Sequence, residues 1–198
     1  MKSRREANVE ATRAALLAVA RRHFARDGYS GTEIGRIAAD ARVTTGAVYH
    51  HFSGKKELFQ AVAEQLEGEI LLAAAVVDEA DPLRRLRLGF EKLIDVCDAP
   101  DVQRIIFIEA PQVIGPEAWR KIELRYAYGA LRAILGSLHD AGAIKPYPID
   151  LIARLLLALL RETSAELVRG KRAPETRKAI SALVSDFFDV VILRRREP

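Results

Sequence analysis

Cysteine occurs once in 198 residues, at Cys97, and that scarcity removes several chemistries at once. A lone thiol forms no internal disulfide and no multi-cysteine zinc site, and apolar neighbours make Cys97 a small core residue rather than a reactive one. Long apolar runs are missing as well. None approaches the ~18 uncharged residues that span a bilayer, and the opening "MKSRREANVEATR" carries charge where a signal peptide has its apolar core. A cytoplasmic protein without a membrane partner is expected. Strict alternation of apolar and polar residues is absent, and no Asn-Gly or Asp-Gly pair joins two β-branched runs, so hairpins are not expected. Catalytic signatures are lacking too: there is no G-x-S-x-G, no P-loop, no H-E-x-x-H, no Glu-x-x-His pair and no Gly-rich dinucleotide turn. The chain reads as a non-enzyme with no cofactor and no metal.

What is present is apolar content of 49%, ample for a buried core, and an uneven charge. The net charge is +4, but residues 1–60 hold 11 Lys and Arg against 6 Asp and Glu, while residues 61–198 hold 20 against 21. A basic front on a near-neutral remainder suits a polyanion partner for the front alone; a solvated basic face is the plainer alternative.

The periodicity is helical throughout and predicts an all-α fold of about nine helices. Leu16, Val19, Ala20, His23 and Phe24 form one stripe on a helix over about 8–26. Gly28 is suited to stop it and Thr32 to cap the next helix, which presents Ile34, Ile37, Ala38 and Ala41. A third short helix, capped by Thr44 or Thr45, turns Val48 and Phe52 inward. Three short helices, the last two joined by a tight turn, make a helix-turn-helix. Further helices are expected over about 54–77, 81–98, 101–109, 117–140, 149–169 and 175–195, with breaks at Pro111, Gly115 and Pro116. Residues 1–53 then form one domain and 54–198 another, with 54–77 as the connector.

The stretch "ALLAVARRHFARDGYSGTEIGRIAADARVTTGAVYHHFSGKKELF", residues 15–59, resembles the DNA-binding domain of TetR/AcrR-type transcriptional regulators. Phe24, Gly28-Tyr29, Thr32, Ile37-Ala38, Val43-Thr44, Gly46, Tyr49, Phe52, Lys55 and Leu58 agree with that pattern in order. The resemblance implies that Thr32, Arg42, Thr44, Thr45, Gly46, Tyr49, His50 and Lys55 meet DNA. Hydroxyls and free N–H groups at a helix N-terminus suit phosphates or base edges, and Gly46 lets the backbone approach closely. Tyr49, His50 and Lys55 suit phosphate oxygens; the lesser alternative for Tyr49 is a core aromatic with an exposed hydroxyl. His50 and His51, adjacent on a helix, point about 100° apart and make a poor metal pair. Three positions depart from the pattern. Arg42 stands where the turn often has Gly, so its backbone is either not left-handed or strained by roughly 1 kcal/mol. Gly35 replaces a polar side chain in the second helix, and Gly54 replaces the usual cap of the fourth, a role open to Ser53.

The last two helices carry wider apolar faces than one core contact needs, and the resemblance implies a homodimer joined through them, assigned to Leu156, Leu159, Leu160, Val184, Phe187, Phe188 and Val191. It also implies an effector pocket among the helices bearing Phe90, Ile94, Cys97, Ile106, Glu109, Trp119, Glu123, Tyr126 and Leu155, a lining that suits a mostly apolar small molecule with a polar or cationic handle. These residues can equally be plain core. The expected function is a dimeric regulator, a repressor released from a palindromic operator by such an effector. Alternatives are an architectural or cell-organising DNA binder of the same fold without an effector, and a helical protein-interaction module.

Overall fold

In a computed structural model the described residues are 4–75, 77–170 and 173–192, and among them nine helices follow one another as the periodicity predicts. Helix α1 is Arg4–Gly31, longer at its start than expected and broken at Gly28, whose φ of 74° is open to glycine and strained for other residues. Helices α2 (Ile34–Asp40) and α3 (Thr45–His51) follow, then α4 (Lys55–Ala75) and α5 (Pro82–Cys97). Helix α6 covers 100–114 and widens to π-type turns over Gln103–Glu109, so it runs on through Pro111, where a break was expected: the proline, which has no N–H to give, falls in the first turn after the widened stretch. Helix α7 covers 116–140 and widens likewise over Leu124–Tyr128. Helix α8 is Ile149–Arg169, and α9 covers 174–192, π-type from Phe188. Gly115, with a φ of 101°, separates α6 from α7, and Pro116 opens α7 as a first-turn proline can.

The helices gather into two compact units: residues 1–66 with 100–119, and residues 67–99 with 120–198. The sequence boundary at 53/54 therefore does not coincide with the break in packing. Residues 54–66 and 100–119 pack with the helix-turn-helix.

The first unit is built around Leu16, Ala20 and Phe24 of α1, Ile37 of α2, Val48 and Phe52 at α3, and Leu58, Phe59 and Val62 of α4, all essentially inaccessible. Phe24 and Tyr29 both pack against Phe59, at centroid distances of 5.0 and 5.3 Å in edge-to-face geometry, a favoured aromatic arrangement. Helix α6 adds Val102, Ile105, Ile106 and Ala110 to the same core. It is tied to α1 by polar contacts as well. Arg21 pairs with Asp101 at 2.6 Å. Arg104 donates to the carbonyls of Ala25 and Arg26 at 3.1 and 2.8 Å, oxygens that a helix C-terminus leaves without intrahelical partners.

In the second unit α8 packs against α5, α7 and α9. Ile152, Ala153, Leu156, Leu160 and Leu167 of α8 are buried against Phe90 and Ile94 of α5, Leu135 and Leu138 of α7 and Val184 and Phe188 of α9, with the Phe90 and Phe188 rings 5.6 Å apart. Each of the last two helices also keeps a second apolar stripe in water. Leu151 and Leu155 on α8 and Leu183 and Val190 on α9 are 44 to 61% exposed.

Candidate nucleic-acid interface

Helix α3 has only seven residues, too short to persist alone. Its local signals and its anchoring compensate. Thr44 is the N-cap: its Oγ1 accepts the N–H of Ala47 at 3.1 Å. Val48 and Phe52 lock the inner face into the core, and the Arg13 guanidinium lies 5.1 Å from the Phe52 ring centre. On the other face Thr45, Gly46, Tyr49 and His50 are exposed, Tyr49 by 54%. Their spacing of one and then four residues puts them on one side of a single helix. A side-chain carbon built on Gly46 would meet nothing closer than Thr44 Oγ1 at 3.8 Å, so the backbone lies open there.

The turn between α2 and α3 carries Arg42 at a φ of 57°. The left-handed alternative is thus the one realised, and the arginine side chain is held outward and exposed. Behind it, α1 and α2 are joined by His23, which is buried and lies 2.7 Å from Asp40 through Nε2. His23 thus links two helices, a closer engagement than its place on the apolar stripe suggested.

Thr32 does not take the place expected of it. The cap of α2 is Glu33, and the Thr32 hydroxyl is buried and donates to the carbonyl of Gly28 at 2.7 Å. A hydroxyl committed inward has no proton left for DNA. Lys55 is half-buried: its Nζ sits 4.6 Å from the Tyr29 ring centre and donates to the carbonyl of Ser30 at 3.4 Å. An ammonium has three protons, so Lys55 can still reach a phosphate from this fixed perch. The start of α4 is secured by Glu57, whose carboxylate accepts both the backbone N–H (2.8 Å) and the hydroxyl (2.5 Å) of Ser53. Those bonds, the hydroxyl's first, hold the Glu57 carboxyl below its ordinary range. Ser53 thus secures the helix as a donor to Glu57, whereas Gly54 leaves the cap without a side chain. Arg36 and Lys56, passed over in the sequence because they match no motif position, are exposed on the first unit as well.

The residues expected to line a pocket separate. Glu109 lies in the first unit, where it accepts the backbone N–H of Tyr29 at 2.8 Å and pairs with Arg104 at 3.4 Å. Ile106 and Trp119 are core residues of that unit, and Leu155 points to solvent at 44% exposure. Phe90, Ile94 and Cys97 are buried in the second unit, which also holds Glu123 and Tyr126. Cys97 and Glu123 converge with a residue the sequence reading missed, Glu67 of α4, 6% exposed. Desolvation, reinforced by the Glu123 charge, pushes the Glu67 carboxyl to about 7. Burial and then the Glu67 charge push the Cys97 thiol to about 12, against a hydrogen bond with Ser164. A signal for Glu67 did exist. It occupies a core position in the stripe Phe59, Val62, Ala63, Leu66, Glu67, Ile70, where a carboxylate is out of character.

The dimer assignments also divide. Leu156, Val184 and Phe188 have no accessible surface and Leu160 has 8%, so these four serve their own unit's core and leave nothing for a partner. Leu159 and Phe187 are half-buried. The side chain of Val191 lies outside the described ones. Among the described residues no three His, Cys, Asp or Glu side chains are grouped as a metal site, and no helix is long and apolar enough to cross a membrane.

Residues 16–62 match the family described as "Bacterial regulatory proteins, tetR family", and residues 83–190 match "Tetracyclin repressor-like, C-terminal domain". The chain is 30% identical to the Transposon Tn10 TetC protein of Escherichia coli over 78% of its own length and 79% of that protein's. It is 32% identical to the HTH-type transcriptional repressor BepR of Brucella suis over 52% of this chain and 51% of that one. A crystal structure of a TetR-family transcriptional regulator from Pectobacterium atrosepticum superposes with a TM-score of 0.74 at 25% identity, covering 98% of this chain and 100% of that one.

Proposed function

The chain belongs to the TetR family of bacterial regulatory proteins and is a DNA-binding transcriptional regulator, and on that premise we propose that it acts as a homodimeric repressor that a small, mostly apolar effector releases from a palindromic operator. The observation that carries the reading end of this proposal is the exposed face of α3. Thr45, Gly46, Tyr49 and His50 stand outward from a helix whose other face is clamped by Val48 and Phe52. A rigidly held short helix with hydroxyl, imidazole and bare backbone on its free side suits a major groove. Arg42 and Lys55, with Arg36 and Lys56 beside the motif positions, would supply phosphate contacts.

Dimerisation is supported by the second apolar stripes of α8 and α9. Leu155 with Leu159, and Leu183 with Phe187 and Val190, recur at helical spacing on faces that the unit's own core does not use. Two copies joined there would present two α3 helices to one operator, whose half-sites should lie about 34 Å apart or a multiple of it. An effector bound to the second unit acts by favouring a separation that misses this spacing, and a coupling of roughly 1–3 kcal/mol would change operator affinity about 5- to 150-fold.

Selection of bound DNA from a random pool tests the proposal. A palindrome with half-sites one turn apart is the expected result. Recovery of single, unpaired sites refutes the dimeric reading head, and an operator whose affinity no small molecule shifts favours an effector-free architectural role.

A further inference from the structure

We propose that His23 is a positioning residue of the reading head, a proposal that rests on the reading of the exposed α3 face as the surface that meets DNA: through Asp40, His23 holds the left-handed turn at Arg42 and with it the start of α3. The core of the first unit leaves a gap at this place. Ile37 and Ala38 of α2 are buried and so is Val48 of α3, but no side chain from 39 to 47 is. That stretch holds Arg42, Thr44, Thr45 and Gly46, four of the residues assigned to DNA.

The backbone there closes on itself. The N–H of Val43 donates to the carbonyl of Ala38 and that of Arg42 to the carbonyl of Ala39, both at 3.0 Å. This pair of bonds ends a helix on a left-handed residue, ordinarily glycine. Here that residue is Arg42, with a φ of 57°, the one non-glycine residue of positive φ among those described. A strained conformation of this kind persists where its surroundings over-determine it. Asp40 lies within the loop that the two bonds close, and its Oδ2 is 2.7 Å from His23 Nε2. Among the described residues no other side-chain hydrogen bond or ion pair ties 39–47 to another helix.

His23 is 4% exposed, on the apolar stripe of Leu16, Val19, Ala20 and Phe24, where leucine would fill the place without burying a polar group. Its ring is held on both sides. Nε2 faces Asp40, and Nδ1 faces Arg26 Nη2 at 3.3 Å and Asp27 Oδ2 at 3.7 Å. A neutral imidazole satisfies this setting by donating from Nε2 to Asp40 and accepting from Arg26 at Nδ1. The histidine thus reaches from α1 to the turn as a fixed arm, which leucine would not provide. A fixed pose for residues 42–46 matters to the reading of base edges, whereas attraction to phosphates is independent of sequence.

Asp40 is the residue to vary, because its side chain is 58% exposed and its loss opens no cavity. Asp40→Ala and Asp40→Asn remove the same charge, but Asn Oδ1 still accepts from His23, so the comparison isolates the bond. Asp40→Ala should bind the selected operator about tenfold or more weakly than Asp40→Asn, while random DNA of the same length binds the two alike. His23→Leu should lower the operator-to-random ratio as Asp40→Ala does, and the double variant should be no worse than either single one, as expected of two residues acting as a unit. In the DNA-free chain the N–H groups of Arg42 and Val43 should exchange with deuterium at least about fivefold faster in Asp40→Ala than in Asp40→Asn, with the core amides of α1 unchanged. Should His23→Leu not fold, the two Asp40 variants decide. Equal operator binding by Asp40→Ala and Asp40→Asn, single effects that add in the double variant, or equal exchange at Arg42 and Val43 overturns the proposal. Wild type that prefers no sequence from a random pool refutes the premise about α3 and the positioning role with it; that failure is told apart by exchange at Arg42 and Val43, which the loss of Asp40 would still quicken.

Discussion

The carboxylate of Glu109 accepts the backbone N–H of Tyr29 at 2.8 Å, across eighty positions of sequence. The same carboxylate pairs with Arg104 Nε, while Nη1 of that guanidinium donates to the carbonyls of both Ala25 and Arg26. The end of α1 is therefore finished by side chains from α6, which fill the space where Gly28 has no side chain. An acid that looked suited to a ligand pocket is part of the scaffold of the reading head.

That arrangement leads to the first expected outcome. A methyl at residue 28 would lie 2.5 Å from Glu109 Oε1 and 2.6 Å from Arg104 Nη2, on a backbone with φ of 74°. Gly28→Ala should cost about 2 kcal/mol or more, through strain and displacement of both side chains. Glu109→Ala should cost roughly 1–3 kcal/mol by leaving the Tyr29 N–H and Arg104 without their acceptor. Urea unfolding measures both, and stability unchanged in Glu109→Ala would refute the clamp.

Thr45→Ala and His50→Ala should leave the melting temperature within error of wild type and abolish or alter selection of the operator, because both side chains are exposed and neither contributes to the core. Lys55→Ala is expected to differ in kind. It should lower the salt slope of binding by about one for every DNA sequence, and it should also cost about 0.5–1 kcal/mol of stability, since the ammonium stacks on Tyr29. Anisotropy titrations at several salt concentrations, paired with melting curves, separate the two classes.

Substitutions on α8 and α9 distinguish the inner stripe from the outer one. Leu155→Asp with Leu183→Asp should give a folded monomer in sedimentation with weak, non-specific DNA binding, as both side chains already face solvent. Leu156→Asp, one position along, should cost about 4 kcal/mol or more, because it sets a charge in a fully buried site. A double mutant that remains dimeric places the interface elsewhere.

Glu67 should make stability depend on pH. Its carboxyl is raised from an ordinary 4.5 to about 7 by burial and by Glu123, so the folded state holds the proton more tightly than the unfolded chain does. The resulting stabilisation is fully present below about 4.5 and is lost as pH rises through about 7. At ~1.4 kcal/mol per pH unit it amounts to about 3 kcal/mol. Urea midpoints measured from pH about 5 to 8 should fall in wild type and fall less in Glu67→Gln. Parallel profiles for the two proteins would refute a raised Glu67 carboxyl.

Much of this protein is determined locally. The nine helices follow from periodicity, Gly28 and Gly115 from the positive φ at each break, and Thr44 from the N–H groups that open α3, all interactions within a few residues of one another. The exposed face of α3 follows likewise, since Val48 and Phe52 mark its inner side and the remaining positions are turned outward. What tertiary structure decided is which of two plausible faces each amphipathic helix buries, and which distant residue answers a polar group. Leu156 and Leu155 are the same residue type one position apart, yet one is in the core and the other in water. Thr32 could have capped α2, but the carbonyl of Gly28 was within its reach. Glu109 and Glu67 are both acids in apolar stretches. Arg104 and a backbone N–H wait for the first, and another acid for the second, and only the packing of helices far apart in the chain brings those partners to them.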